Sequence, residues 1–314
     1  MLPEITDNTE INKHLGQKSL RIETYTKSLL VKDLRSNSRN ALNIVEGQEP
    51  FVGYDVWVGY EVSCLLEDGS PITGIAKVVY DCNNKYIVES KSMKLYWNSF
   101  YMTKMGPTKK EALYNLEWTA SKDLSELLGT KVHVSIFTAS DDTSYRAGVT
   151  APQCAFKSEY NDKYYCIDDI KVPCNVYKED PTLLHHDNHN FDPISGQIES
   201  IYVYSTLLKS NCRETKQPDN GDVYIYMEGL DMPTYESLKQ YIVSFRDENH
   251  FHEAITDCIF TRLMTEFKPH KLMVACTYVR RGGWSIAPIR ATHSKLIPSA
   301  FIGLDTPHYK TPRE

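Results

Sequence analysis

Between Tyr54 and Cys64 the chain alternates strictly, with Val56, Val58, Tyr60, Val62 and Cys64 on one side and Asp55, Trp57, Gly59, Glu61 and Ser63 on the other. That is the period of a half-buried strand, and an apolar strand face demands partners that cover it. A turn at Asp68-Gly69 leads to a second apolar strand, Ile75 to Tyr80, and Asn83-Asn84 turns the chain again. A helical segment runs to Phe100. The next helix spans about Lys109 to Leu128, with Leu113, Leu116, Ala120, Leu124 and Leu127 on one stripe and Gly129 as its stop. Val132 to Phe137 alternates as another strand.

After Ile198 the same order returns. Ile201 to Leu208 reads as a strand, and Val223, Ile225 and Met227 mark the next. Thr234 is placed to cap a helix carrying Tyr235, Leu238, Ile242 and Phe245. A second helix, His252 to Phe267, has Ile255, Ile259, Leu263 and Phe267 four apart and ends at Pro269, before a closing strand from Leu272 to Val279. The letters repeat as well: Lys94-Leu-Tyr-Trp-Asn-Ser-Phe100 matches Lys239-Gln-Tyr-Ile-Val-Ser-Phe245 at four of seven positions, and Glu111-Ala-Leu matches Glu253-Ala-Ile. The expected fold class is α+β, with two tandem units that each pack two helices on one face of an antiparallel sheet. The expected boundaries are an irregular leader (1–50), a first unit (51–140), a connector with one strand near Tyr164 to Val172 (141–198) and a second unit (199–314).

With 314 residues, 41% of them apolar, the chain can build cores for both units. Its net charge of −6 and the lack of a long basic run argue against nucleic acid as a direct partner. The N-terminus shows no signal pattern and no apolar run reaches the length of a membrane span, so a cytoplasmic protein is expected. The 8 cysteines include no Cys-x-x-Cys pair and read as reduced thiols. His185, His186 and His189 are metal-ligand types, but Asp187 and Asn188 do not set them on one face of a regular element. A solvated loop and no metal site are expected there.

Chemistry concentrates from Leu207 to Val223. Cys212 lies among polar and cationic neighbours, with Lys209 and Arg213 placed to favour the thiolate, and Asp219 follows behind Pro218 on a stiffened loop. Nucleophile and proton donor are one reading, an incidental cysteine in a surface loop the other. Glu253 opens a helix, where a carboxylate either complements the helix dipole or accepts two parallel N–H donors from a guanine-like edge. His252 beside it is a candidate proton relay. Val88-Glu-Ser-Lys-Ser92 groups a carboxylate, hydroxyls and a cation at a strand–helix junction, and Arg280-Arg-Gly-Gly283 offers forked donors and close backbone approach. No Gly-x-Gly-x-x-Gly follows a strand, so a dinucleotide would not be held in the Rossmann manner.

Taken together, Glu89-Ser-Lys-Ser-Met-Lys-Leu-Tyr96, Leu208-Lys-Ser-Asn-Cys212 with Asp219, Ser244-Phe-Arg246 with Phe251-His-Glu253, and Arg280-Arg-Gly-Gly283 resemble the NADPH-dependent 7-cyano-7-deazaguanine reductases in their long, two-module form. Cys166-Ile-Asp-Asp169 extends the likeness more weakly, which runs from about Leu29 to Arg290. The resemblance implies tunnelling-fold modules, a homodimer, and reduction of a free deazaguanine nitrile to an amine on the way to queuosine. It implies Cys212 as the nucleophile forming a thioimide, and Asp219 as general acid. It also implies Val88, Glu89, Ser90, His252 and Glu253 as substrate contacts, and Ser90, Lys91, Arg281 and Gly282 as NADPH contacts. Ser285-Ile-Ala-Pro288 departs from the Asp-Ile-Asn-Pro of many members. Two other readings stay open: an amidinotransferase using the same cysteine chemistry, and a non-catalytic purine- or pterin-binding protein.

Overall fold

A computed structural model describes residues 22, 24–138, 163–188, 196–213 and 216–304. The N-terminal half opens with β1 (Lys32–Leu34) and the short α1 (Ser36–Arg39), followed by β2 (Val52–Leu66), β3 (Pro71–Asp81), β4 (Tyr86–Val88) and α2 (Ser90–Asn98). Next come β5 (Lys104–Gly106), α3 (Lys109–Leu128), β6 (Val132–Phe137) and β7 (Tyr165–Cys166). The C-terminal half contains β8 (Glu199–Ser205), β9 (Lys209–Asn211), β10 (Pro218–Gly229), α4 (Tyr235–Ser244) and α5 (His252–Phe267). It ends with β11 (Lys271–Tyr278), β12 (Trp284–Ala291) and α6 (Ser299–Ile302).

The helix boundaries follow from local chemistry. Thr108 Oγ1 accepts the Glu111 amide and donates to the Glu111 carboxylate, an N-cap at the head of α3, and Gly129 ends that helix at φ 65°. Thr234 caps α4 through the Ser237 amide, and α5 stops at left-handed Lys268 before Pro269.

Apart from a small β1–β4 pair, the strands form one mixed sheet of 10, with path β6-β3-β2-β12-β11-β10-β8-β7 and with β5 and β9 attached to β2 and β10. Every pair is antiparallel except β2–β5 and β7–β8. Alternation assigns the faces. On β11, Leu272, Val274 and Cys276 pack under α4 and α5, whereas Met273 and Ala275 face the opposite side, beneath Ile297 and Phe301. In the N-terminal half Trp57, Val78, Tyr80 and Ile136 pack against α2 and α3. No helix among the described residues is long and apolar enough to cross a membrane.

Several expectations need correction. The strand ending near Val279 is not the last: β12 follows and pairs with β2 from Trp284↔Gly59 to Ala291↔Val52, so one sheet runs through both halves. A Cβ on Gly59 would lie 2.4 Å from the Trp284 ring, which is why that position has no side chain. Strand β2 is not half-buried around its centre, because Asp55 and Trp57 on the supposedly polar side are fully enclosed. The strand predicted to reach Leu208 stops at Ser205 and resumes as β9, and the connector strand shrinks to Tyr165–Cys166.

The described part of the leader is ordered: β1 pairs with β4, and Arg35 and Arg39 are buried. Their burial is matched by an ionic chain. Arg35 meets Asp55 at 2.6 Å, and Arg290 Nη1 stands 2.9 Å from the other Asp55 oxygen, a charge contact without hydrogen-bond alignment. Arg290 Nε donates to Asp257 at 2.5 Å, and Arg39 Nε to the same carboxylate at 2.8 Å. The chain joins the leader, β2, β12 and α5.

Candidate active site

A cavity of about 450 Å³ lies where the two halves meet. The β4–α2 junction contributes Val88, Glu89, Ser90 and Lys91, the β9–β10 loop contributes Cys212 and Asp219, the start of α5 contributes His252 and Glu253, and the β11–β12 turn contributes Arg281. Nine of the ten residues singled out in the sequence thus line one space. The tenth, Gly282, sits beside it at φ 55°, where a Cβ would come 3.3 Å from Cδ of Lys94, itself a lining residue.

The loop geometry holds the sulfur and the acid together. The Cys212 amide donates to the Gln217 carbonyl at 2.8 Å, and the Lys216 amide returns to the Cys212 carbonyl at 3.0 Å, with Lys216 left-handed at φ 58°. Pro218 and Asp219 then pair with Asn211 and Ser210, so Asp219 is fixed on a ladder beside the cysteine. Asp219 is an ion-pair centre: Arg281 donates to Oδ1, and His252 Nε2 lies 3.3 Å from Oδ2. Burial would raise this carboxyl, but His252 and Arg281 outweigh it and hold it below its ordinary value. The His252 ring stacks on Tyr278 at 3.8 Å between centroids, which fixes its plane.

Glu253 behaves in the opposite way. It is 3% exposed and its Oε1 has no hydrogen-bond partner among the described residues. Burial, with the Asp55 charge adding to it, pushes the carboxyl up to about 8. Its repeat counterpart Glu111 is exposed and committed to Thr108. The two glutamates aligned in the sequence thus differ in place and role: Glu111 is the third residue of α3 and serves its cap, whereas Glu253 is the second residue of α5 and is buried, with Oε1 unpartnered among the described residues. Glu89 caps α2, accepting the Lys91 and Ser92 amides at 2.9 and 2.7 Å, so part of its acceptor capacity serves the fold.

Sequence reasoning missed Trp57, Lys94, Trp284 and Ile286, which also line the cavity. Trp57 reads as a polar-side residue of its strand, and Trp284 and Ile286 lie on the strand that was not foreseen. Their side is the productive one: Ile286 faces the cavity, whereas Ala287 packs under α6 and Ser285 shares its side. The departure at 285 and 287 therefore falls on the far face of the sheet. Of the two cations expected beside the sulfur, Lys209 is held by Asn211 and the Arg246 carbonyl at 2.7 and 2.5 Å, while Arg213 lines the cavity and also pairs with Asp33 at 2.8 Å. His186 is not simply solvated, since its ring bridges Asp231 and Glu266 at 2.6 and 3.1 Å, and His189 lies outside the described residues. Among the described residues no group of His, Cys, Asp and Glu is placed to hold a metal.

Residues 21–136 match the family described as nitrile reductase, 7-cyano-7-deazaguanine-reductase N-term, and 218–296 match the family described as QueF-like protein. The class is therefore that of nitrile-reducing enzymes. An NADPH-dependent 7-cyano-7-deazaguanine reductase of Colwellia psychrerythraea (strain 34H / ATCC BAA-681) is 36% identical over 293 residues, covering 93% of this chain and 96% of its own. The enzyme of that name from Legionella pneumophila (strain Lens) is 35% identical over 288 residues, 92% of each chain. A solved archaeosine synthase of QueF-like type, in the apo form, covers 29% of this chain and 91% of its own at 16% identity and a TM-score of 0.25. The chain belongs to the NADPH-dependent 7-cyano-7-deazaguanine reductases.

Proposed function

We propose that this chain reduces the nitrile of 7-cyano-7-deazaguanine to the aminomethyl group at the expense of two NADPH and two protons, in queuosine biosynthesis. The observation that carries this reading is the buried Glu253 carboxyl, whose Oε1 has no hydrogen-bond partner among the described residues, in the same cavity as Cys212. A carboxylate there takes the N1–H and 2-amino donors of a guanine-like base, with His252 and the β4–α2 junction (Val88, Glu89, Ser90) gripping the same ligand. The indoles of Trp57 and Trp284 and the Ile286 side chain wall the cavity with apolar surface suited to a flat ring.

The Cys212 sulfur adds to the nitrile carbon, converting the C≡N triple bond to a C=N double bond in a thioimide while a proton reaches the nitrogen. Asp219 is held below its ordinary value and so ionised at neutral pH, and that proton arrives through the His252–Asp219 pair, whose contact is already made. NADPH, held by Ser90, Lys91, Arg281 and Gly282, would supply the two hydrides that the reduction needs, one for each step from nitrile level to amine, and Cys212 leaves as thiolate between them. The residues fit such a cofactor: Lys91, Lys94 and Arg281 bring three cations to the cavity lining, and Gly282 leaves room where a Cβ would crowd. We include in this reading two tunnelling-fold modules with boundaries near 51–140 and 199–314, a homodimer, a cytoplasmic location, and a free base rather than nucleic acid as substrate. The matching element order in the two halves and the net charge of −6 support it.

Purified protein given the cyano-deazaguanine should oxidise two NADPH per base. Turnover that needs ammonia and leaves NADPH untouched would replace this reading by amidinotransfer, and tight binding without turnover by a base-binding protein. Glu253 adds a pH signature. A carboxyl raised to about 8 is protonated at pH 7, and the donors of the base favour its ionised form. Binding at pH 7 should release close to one proton, read as a dependence of calorimetric enthalpy on buffer ionisation, and Glu253→Gln should remove that dependence. Without ligand the same group binds a proton in the folded state that the unfolded chain lacks. Its contribution therefore lowers stability as pH rises from about 4.5 to about 8.

A further inference from the structure

His252 is the first residue of α5 and lines the cavity with its Nε2 3.3 Å from Asp219 Oδ2. A histidine that passes protons is commonly oriented by a hydrogen bond to its second ring nitrogen. Here that nitrogen, Nδ1, is buried and has no hydrogen-bond partner among the described residues. The backbone at the head of α5 is tied down, since the Asn211 amide donates to the Glu248 carbonyl at 2.7 Å, but that leaves the histidine's side-chain torsions open. The contact that closes them is the Tyr278 ring, which lies nearly parallel to the imidazole, 12° off and 3.8 Å between centroids.

Resting on the reading of His252 and Asp219 as the proton-delivering pair, we propose that Tyr278 is their positioning residue: its ring face, in place of a hydrogen bond to Nδ1, keeps the Nε2 edge of His252 on Asp219. Tyr278 is itself firmly held. It is 1% exposed, ends β11 and pairs with Gly221 on β10, two residues beyond Asp219. A Cβ on Gly221 would come 3.1 Å from the Tyr278 ring, so the glycine gives that ring its room. The hydroxyl is not what holds it. Ser210 lies beside it, yet neither oxygen has a hydrogen-bond partner among the described residues. The ring face alone carries the contact with His252.

The test is the rate at which Cys212 gains the mass of the cyano-deazaguanine in the intact chain without NADPH, followed by rapid quench and mass spectrometry, because the nitrogen takes its proton as the sulfur adds. Tyr278→Leu should slow adduct formation about tenfold while changing the dissociation constant for the base less than about threefold. Tyr278→Phe keeps the ring face and should restore the rate to within about twofold of wild type. With His252→Ala already in place, adding Tyr278→Leu should slow the step by no more than about twofold, because residues acting through one group are not additive. Tyr278→Met serves if the Leu variant does not fold. A wild-type rate in Tyr278→Leu overturns the assignment, as does an equal loss with and without His252, or a Phe variant as slow as the Leu one. A wild type that forms no adduct overturns the covalent reading, and this one with it.

Discussion

Cys212→Ala should lose nitrile reduction by at least about a thousandfold, because no other group at the cavity can form the thioimide. Base binding should persist, since Glu253, His252 and the indole walls are untouched. The measurement is NADPH absorbance for turnover, with mass spectrometry for a substrate-sized adduct that the wild type forms and the variant does not. Substantial turnover by the variant would mean that hydride reaches the bare nitrile, and the covalent route would be abandoned. The contrast matters physically: a bare nitrile is a weak hydride acceptor, and sulfur addition creates a nitrogen that can be protonated.

The second large effect concerns folding. Arg290→Ala should destabilise the protein by about 3–5 kcal/mol, because it strands Asp55 and Asp257 without their shared cation in a fully enclosed site. Urea unfolding should register this as a fall in midpoint. The half-exposed Lys271–Glu228 pair is the control, and its removal should cost about 0–1 kcal/mol. Acid should mimic the substitution in part. Burial would raise Asp55, but Arg290 and Arg35 together hold it below its ordinary value. Its contribution is therefore complete above about pH 4 and disappears as pH falls through the lower folded value. An unchanged urea midpoint in the Arg290 variant would show that water reaches the cluster and screens it.

Helices were the legible part of the fold, and the reason is local. Gly129, Thr234 and Pro269 act within one turn of the ends they set, so their meaning does not depend on the rest of the chain. Strand β12 was hidden because Pro288 argues against a central strand, and only the register opposite Asp55 places it there. The burial of Arg35 and Arg39 has no local signal, since the aspartates that pair with them lie on β2 and α5, away from them in the sequence. At the site, nine of the motif residues line one cavity. Yet the sequence could not say that Glu89 would cap its own helix.

One eight-residue strand carries consequences for both halves of the molecule. Trp284 and Ile286 wall the cavity and Arg290 anchors the ionic chain, all at even steps along β12 and hence on one side of it. Displacing that strand by a single residue would turn all three away at once. Ligand recognition is for that reason indivisible from the folding of the interior: a partly assembled chain has no diluted version of the pocket to offer, only its absence.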